Sequence, residues 1–508
     1  MRQNFQAFTD FLAKSILYPG LLPELLATKK YNDLKISVEK AILPETLTVS
    51  TPEGFAYYGL HPLAYADVLQ KLIPLPPRIV VIGIRTIGTT LSAVCCAAAR
   101  GSGVWAERLT VRPMGHPYDR RTQFSLEQIE LVGRAAAAGA AFWIVDEGPG
   151  LSGSSFISVG EALTQADVSS ERITFICSHE PQVDALCARD GPQRWRRFRS
   201  IAADSPARKP EEAQIWIGSG EWRRYLHPSQ QNHWPASWLS FERSKYLSAS
   251  DTPDRRLFKF LGLGPYGESV FEREARVASN IFAPLPRMES HGYASYPLID
   301  GRPMDANDLS EGVLARMAAY CAFRLQNFSA EPSSEDGLQK MAEHNLAELR
   351  FEIPVKLQME QPVLADARMA PHEWLLTSAG QMLKTDSGSH GDDHFFPGVT
   401  DIAWDLAGAI VEWKMEQDQA KIFLEMYHQA SGDNAVPRIA EFIKAYSVFR
   451  CAYCMMATNA MQGTEEQCRL ERVAADYGAV LLRFTCKAKV PPDDANLDKR
   501  RIDNLLLK

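Results

Sequence analysis

What this 508-residue chain lacks narrows the field first. No apolar run approaches the ~18 residues a membrane span needs. The opening MRQNFQAFTDFLAKSILYPG has no uninterrupted apolar core of the kind a secretion signal carries. An excess of positive charge is missing too: 55 Lys and Arg face 62 Asp and Glu, for a formal net charge of −7. No global attraction to nucleic acid or to an anionic membrane follows, and such a role would fall to a local patch. Nine cysteines, an odd number scattered through a long chain, read as reduced thiols. A cytoplasmic location is therefore expected. The Cys-x-x-Cys at Cys451 to Cys454 has no second pair elsewhere. It sits in a stretch of helical periodicity, which favours core packing over a metal or redox site. Repeats and low-complexity tracts are absent.

What is present is a hydrophobic fraction of 45%, ample for real cores, in a chain long enough for two to four domains. Residues 1–60 read as an N-terminal extension, a helical lead-in followed by short strands. From Arg78 the texture changes. RIVVIGI suits a buried strand, LSAVCCAAARGSG a helix ended by Gly, RLTVRP a strand, FSLEQIELVGRAAAAGA a helix, AFWIV a strand, FISVGEALTQA a helix and ITFICS a strand. Strands alternating with helices predict an α/β parallel sheet over a domain at 61–235, which closes in an end strand or two and a Pro, Arg and Trp-rich linker. A third segment, 236–508, reads as α+β, with strands first and long helices after.

The stretch FWIVDEGPGLSGSSF, from Phe142 to Phe156, sets two carboxylates at the end of a buried strand and follows them with a Gly-Ser loop. Adjacent charges there are costly unless a positive or hydroxylic group binds them. Gly-rich backbone before a helix offers close, dipole-assisted N–H groups to a phosphate. A sugar phosphate satisfies both halves; the plainer alternative is that the acids cap the next helix.

This pattern resembles the phosphoribosyl pyrophosphate motif of type I phosphoribosyltransferases. The resemblance implies that Asp146 and Glu147 hold the ribose hydroxyls, and that Gly150, Ser152, Gly153, Ser154 and Ser155 surround the 5-phosphate. VVIGIRTIGTTLSA falls where that family keeps its pyrophosphate loop, which points to Arg85, Thr86 and Gly88. TVRPMGHPYDRR falls where it has a mobile hood, and Arg112, His116, Arg120 and Arg121 would there neutralise the leaving pyrophosphate. Magnesium and phosphoribosyl pyrophosphate are the implied cofactor and substrate.

A second pattern lies downstream. LFKFLGLGPYGESVFEREARVAS places a lysine in an apolar strand and acids on the helix after a Gly-rich turn; PVLADARMAPHEW and MLKTDSGSHGDDHFF add further acids. A buried Lys-Glu pair is one way to position a triphosphate, and converging carboxylates are one way to hold magnesium. The order resembles the small-molecule branch of the protein-kinase-like fold, the aminoglycoside and choline phosphotransferases. By that resemblance Lys259 contacts ATP phosphates, Glu274 or alternatively Glu272 holds it, and Asp366 is the catalytic acid. Asp386 and His372 would hold the metal, and Asp405 would open the next helix structurally. Glu373 is the alternative to His372 as a metal ligand, and the clustered His390, Asp392, Asp393 and His394 are either a divalent-ion site or a solvated polar turn.

The expectation is a small-molecule transferase. Its first domain would bind, and transfer, a phosphoribosyl group to an acceptor the sequence does not identify; its second would bind nucleotide, with phosphotransfer as a further activity. A non-catalytic sensor of ribose phosphate and nucleotide is the alternative. RWRRFR at 194–199 is a weaker candidate for nucleic-acid contact, through Trp195 and Phe198. Neither a membrane partner nor an oligomeric state is indicated.

Overall fold

A computed structural model of the chain describes residues 2–40, 51–203, 208–227, 234–249, 254–331, 336–388, 395–396 and 398–485. The chain divides into two units, Met1–Pro210 and Glu211–Lys508.

In the first unit β1 (Arg78–Ile84), β2 (Trp105–Val111), β5 (Ala141–Val145), β6 (Ile173–Cys177) and β7 (Arg199–Ala202) form one parallel sheet. Its order is β2-β1-β5-β6-β7. The short strands β3 (Met114–His116) and β4 (Asp119–Arg121) make a separate antiparallel hairpin. Alternation along β1 explains why RIVVIGI is continuously apolar. Val80, Ile82 and Ile84 pack with Phe142, Ile144 and Phe156 on one face, while Ile79, Val81, Leu91 and Trp143 pack on the other. Helices cover both faces, as an all-parallel sheet requires. After β1 the chain turns to β2 on one side, then crosses to β5 on the other. The carboxyl ends of β1 and β5 therefore flank the topological switch point, where open α/β sheets bind ligands.

The N-terminal segment departs from expectation. Among the described residues no strand precedes Arg78; the segment is helical, including Arg2–Leu17, Lys29–Glu39 and Ala64–Asp67. It is part of the first unit rather than an extension. Asp10 pairs with the buried Arg108 of β2 at 2.6 Å, and Tyr65 and Val68 are core residues against Ile79 and Trp143.

The boundary also differs. Residues 211–235, read as the tail of the first domain, belong to the second unit. Ala213 packs with Phe258 and Phe260, and Arg223 makes a buried bidentate pair with Glu466 at 3.0 Å on both nitrogens. RWRRFR offers no aromatic ring for base stacking: Trp195 and Phe198 are buried beside Phe175, and Arg194 is bound by Glu161 at 2.6 and 2.8 Å.

The second unit begins with an antiparallel sheet of β8 (Ile215–Trp216), β9 (Lys245–Leu247), β10 (Arg256–Phe260), β11 (Arg287–Met288) and β12 (Tyr293–Pro297). Its order is β11-β12-β10-β9-β8, and the helix Pro265–Ser279 follows β10. Small sheets from β13 (Gly301–Pro303), β14 (Pro362–Val363), β15 (Trp374–Thr377), β16 (Met382–Lys384) and β17 (Thr400–Asp401) come next. Six helices of ten residues or more, from Glu311–Asn327 to Glu465–Leu482, enclose a large core around Trp374, Trp404, Trp413 and Tyr446. Cys451 and Cys454 lie in that core; burial pushes the Cys451 thiol up to about 12, so it packs as a neutral side chain. No described helix is long and apolar enough to cross a membrane.

Candidate functional site

At the switch point of the first unit three sequence segments meet. The Gly88 N–H, opening the helix after β1, donates to Asp146 Oδ1 at 3.1 Å. This approach depends on glycine: a Cβ on Gly88 would fall 2.5 Å from the Val145 carbonyl. The Arg85–Thr86 peptide just before is cis. Past β5, Gly150 and Gly153 adopt left-handed φ values of 64° and 66° that side chains disfavour. The loop they shape faces the β3–β4 hairpin, where the Ser152 and Ser154 hydroxyls donate to the Pro117 carbonyl at 2.9 and 2.5 Å. The helix Ser154–Gln165 then presents N–H groups that its own backbone leaves unpaired.

Both acids sit at a desolvated strand end. Burial raises Asp146 to about 7, and burial together with the neighbouring Asp146 and Glu53 charges raises Glu147 to about 7. The Tyr65 hydroxyl donates to the Asp146 carbonyl at 2.7 Å, and a Cβ on Gly54 would meet the Glu147 carboxylate at 2.7 Å. Residues 53–65, ahead of the segment the motif covers, thus wall in the acids. Of the expected hood residues, Arg112, His116 and Arg121 are exposed, while Arg120 is held within the hairpin by the Gly115 carbonyl at 2.8 Å.

In the second unit a cavity of about 210 Å³ lies between the β8–β12 sheet and the helical half. On its wall Lys259 of β10, 2% exposed, stands 3.5 Å from Glu274 Oε1 and 2.9 Å from Asp386 Oδ1. Glu274 is fixed from its other side by the Tyr296 hydroxyl. Asp386 has a left-handed φ of 51°, which Asp tolerates better than most residues. A second lysine, Lys245, pairs with Lys259 in the β9–β10 register and reaches Asp386 Oδ2 at 3.1 Å. Burial pulls the Lys245 ammonium down, but the Asp386 and Glu242 charges outweigh it, so it stays protonated with its value raised.

The expected catalytic acid lies elsewhere. Asp366 is buried and lines neither large cavity; it accepts from Tyr320 and faces Lys384 Nζ at 3.3 Å and Arg324 at 3.6 Å. Asp405 accepts from the Asp366 and Ala367 N–H groups at 2.8 and 2.9 Å, so it holds that loop from beneath. Arg368 lines the cavity instead, ion-paired with Glu373 at 3.2 Å. Lys384 links Glu373, at 3.0 Å, to Asp366.

His372 lines the same cavity as Asp386. Burial first, then the charges of Arg368, His227, Lys384 and Arg450, press its value well down, and its ring stacks on Trp222. Among the described residues no group of three or more His, Cys, Asp or Glu is placed to hold a metal. His390, Asp392, Asp393 and His394 lie outside the described residues.

A larger cavity of about 790 Å³ adjoins in the helical half and shares Arg368, His372 and Tyr453 with the first. Glu412 in its wall accepts from both Tyr446 and Tyr477 at 2.6 Å, and the Arg450 guanidinium lies 4.9 Å from the Tyr453 ring centre.

Sequence reasoning missed Lys245, Lys384, Arg368 and Glu412. Strand alternation in SKYLS gives Lys245 a face, but only the β9–β10 register sets it beside Lys259.

No protein-family profile and no curated protein matches this chain. Among solved structures it is similar to the choline kinase LicA from Streptococcus pneumoniae at 12% identity, covering 46% of this chain and 89% of that one, with a TM-score of 0.33. The macrolide 2′-phosphotransferase MphH from Brachybacterium faecium gives 14%, 50%, 98% and 0.33. The spectinomycin phosphotransferase APH(9)-Ia, in complex with ADP and spectinomycin, gives 12%, 47%, 88% and 0.34. Likeness at this level assigns no function, which leaves the side-chain geometry of the two units to carry it.

Proposed function

We propose that the second unit is a kinase-like module that binds a nucleoside polyphosphate in the 210 Å³ cavity and serves phosphoryl transfer to a small molecule. The observation that carries this reading is Lys259, buried on a strand and fixed between Glu274 and Asp386 at the cavity wall. A buried ammonium held by two carboxylates is pre-oriented, so phosphate oxygens can take it without a rotamer search. Leu247, Leu257, Leu298 and Leu375 give the same cavity apolar walls for a base. The adjoining cavity would receive the acceptor, with Arg368 and His372 on the shared wall. Transfer forms an oxygen–phosphorus bond from the acceptor hydroxyl and breaks the bridging bond to the leaving diphosphate. The hydroxyl proton passes to a phosphate oxygen or to solvent, since Asp366 lies off the cavity and burial with the Arg368, Lys384 and Arg450 charges disfavours an imidazolium at His372.

Calorimetric titration of ATP into the full chain and into Lys259→Met tests the reading. Saturable binding that weakens about tenfold or more in the variant supports it. Equal binding by both proteins counts against it.

A second reading concerns the first unit and rests on the Gly88–Asp146 contact, which brings the candidate pyrophosphate loop onto the acidic pair. We infer that this edge takes a ribose phosphate such as phosphoribosyl pyrophosphate. Hydroxyls would meet Asp146 and Glu147, and the phosphate would meet the 150–155 loop. Titration of phosphoribosyl pyrophosphate into Asp146→Asn/Glu147→Gln, against the unaltered chain, decides it: undiminished binding would remove the acids from the site.

A further inference from the structure

The resemblance implies a magnesium ion beside Asp386, and the residues present do not fit one. Magnesium takes an octahedron of oxygens at about 2.0–2.1 Å, anchored by one or two carboxylates free to turn towards it. Among the described residues, each carboxylate lining this cavity has an ammonium, a guanidinium or a hydrogen-bond donor beside it. Asp386 has an ammonium on each oxygen, Lys259 at 2.9 Å and Lys245 at 3.1 Å. Glu274 faces Lys259 and accepts from Tyr296. Glu373 lies between Lys384 and Arg368. Glu242 accepts from the Gly220 N–H at 2.8 Å and the Trp222 indole at 3.0 Å.

Charge points the same way. Among the described residues the cavity is lined, besides its carboxylates, by Lys245, Lys259, Lys384, Arg243 and Arg368, one more cation than there are acids. The extra positive charge next to Asp386 is Lys245, and the β9–β10 register fixes it there, since Lys245 is the antiparallel partner of Lys259. A divalent cation at a polyphosphate neutralises charge and bridges oxygens to a carboxylate. A second ammonium on the same carboxylate provides positive charge at that place from the protein itself.

We propose that Lys245 is a positioning residue that replaces the divalent cation, so that the second unit binds nucleoside polyphosphates without metal. This rests on the nucleotide reading of the cavity. The ligand class is the metal-free polyphosphate, and recognition passes through a pair of lysines sharing Asp386.

The test is titration of ATP into the full chain in excess EDTA and in excess magnesium, repeated with Lys245→Met and Lys245→Arg. The inference expects dissociation constants in EDTA and magnesium that agree within about twofold for the unaltered chain. Lys245→Met should weaken binding in EDTA by about tenfold or more and regain part of it with magnesium, because one Asp386 oxygen is released. Lys245→Arg keeps the charge and should stay metal-independent; it also separates loss of charge from loss of fold. Binding by the unaltered chain that is about tenfold tighter with magnesium overturns the inference and leaves the nucleotide reading standing. The same holds if Lys245→Met binds normally in EDTA. Absence of ATP binding under both conditions overturns both.

Discussion

Gly388 lies directly against Glu274: a Cβ built on the glycine would fall 2.4 Å from Glu274 Cγ. The loop that carries Asp386 is thereby packed onto the helix that carries the partner of Lys259, and the Arg273 guanidinium, donating to the Gly388 carbonyl at 3.0 Å, fastens the same contact. Gly388→Ala is expected to displace Glu274, cost the unit about 1–3 kcal/mol and weaken nucleotide binding. Calorimetry and a thermal melt on the same preparation measure the two effects. Unchanged binding would show that Glu274 does not help orient Lys259.

Asp405 supports the loop that carries Asp366. Removing its carboxylate orphans the Asp366 and Ala367 N–H groups, at about 1–3 kcal/mol for each. It also takes away one of the acids facing the buried Arg324. Asp405→Ala should therefore lower the denaturation midpoint of the second unit sharply. An unfolding free energy within about 0.5 kcal/mol of the unaltered chain's contradicts this placement.

The acidic pair of the first unit makes a prediction with a definite sign. Asp146 and Glu147 have folded-state values near 7, raised from 3.8 and 4.5. Between about pH 4 and 7 the folded chain then binds more protons than the unfolded one, so stability falls as pH rises through that window and levels off above it. The two carboxyls titrate as a pair rather than singly. Asp146→Asn should flatten the decline and stabilise the first unit at pH 8. Ligand hydroxyls favour the ionised carboxylates, so binding of phosphoribosyl pyrophosphate should tighten from pH 6 to 8 in the unaltered chain. Affinity that falls with pH would contradict the assignment.

Trp195 tests the reading of RWRRFR as core. The indole is 1% exposed, with ring centroids 4.7 Å from Phe175 and 5.7 Å from Phe156. Trp195→Ala should cost about 3–5 kcal/mol of first-unit stability. A loss below about 1 kcal/mol in chemical denaturation would place the ring outside the core.

Much of this architecture was legible in the chain, for physical reasons. RIVVIGI and AFWIV read as buried strands because a parallel sheet covered on both faces leaves no polar alternation to confuse the pattern. Lys259 and Glu274 were legible because a lone charge in an apolar strand needs a partner, and the following helix offered one. Asp366 was not, since its surroundings are set by Tyr320, Arg324 and Lys384, which reach it from distant segments. Lys245 was hidden by register: nothing local in SKYLS says which strand it pairs with. The boundary after Pro210 was obscured because β8 is two residues long and joins its sheet only through β9.

The central claim is that nucleoside polyphosphate sits on the paired lysines of the second unit. Its most direct test is an experimental structure of the full chain with a non-hydrolysable ATP analogue. The account predicts density for the analogue in the 210 Å³ cavity, with phosphate oxygens within hydrogen-bonding distance of Lys259 and Lys245 and the base among Leu247, Leu257 and Leu375. Analogue bound elsewhere, or with its phosphates directed away from both lysines, would contradict it.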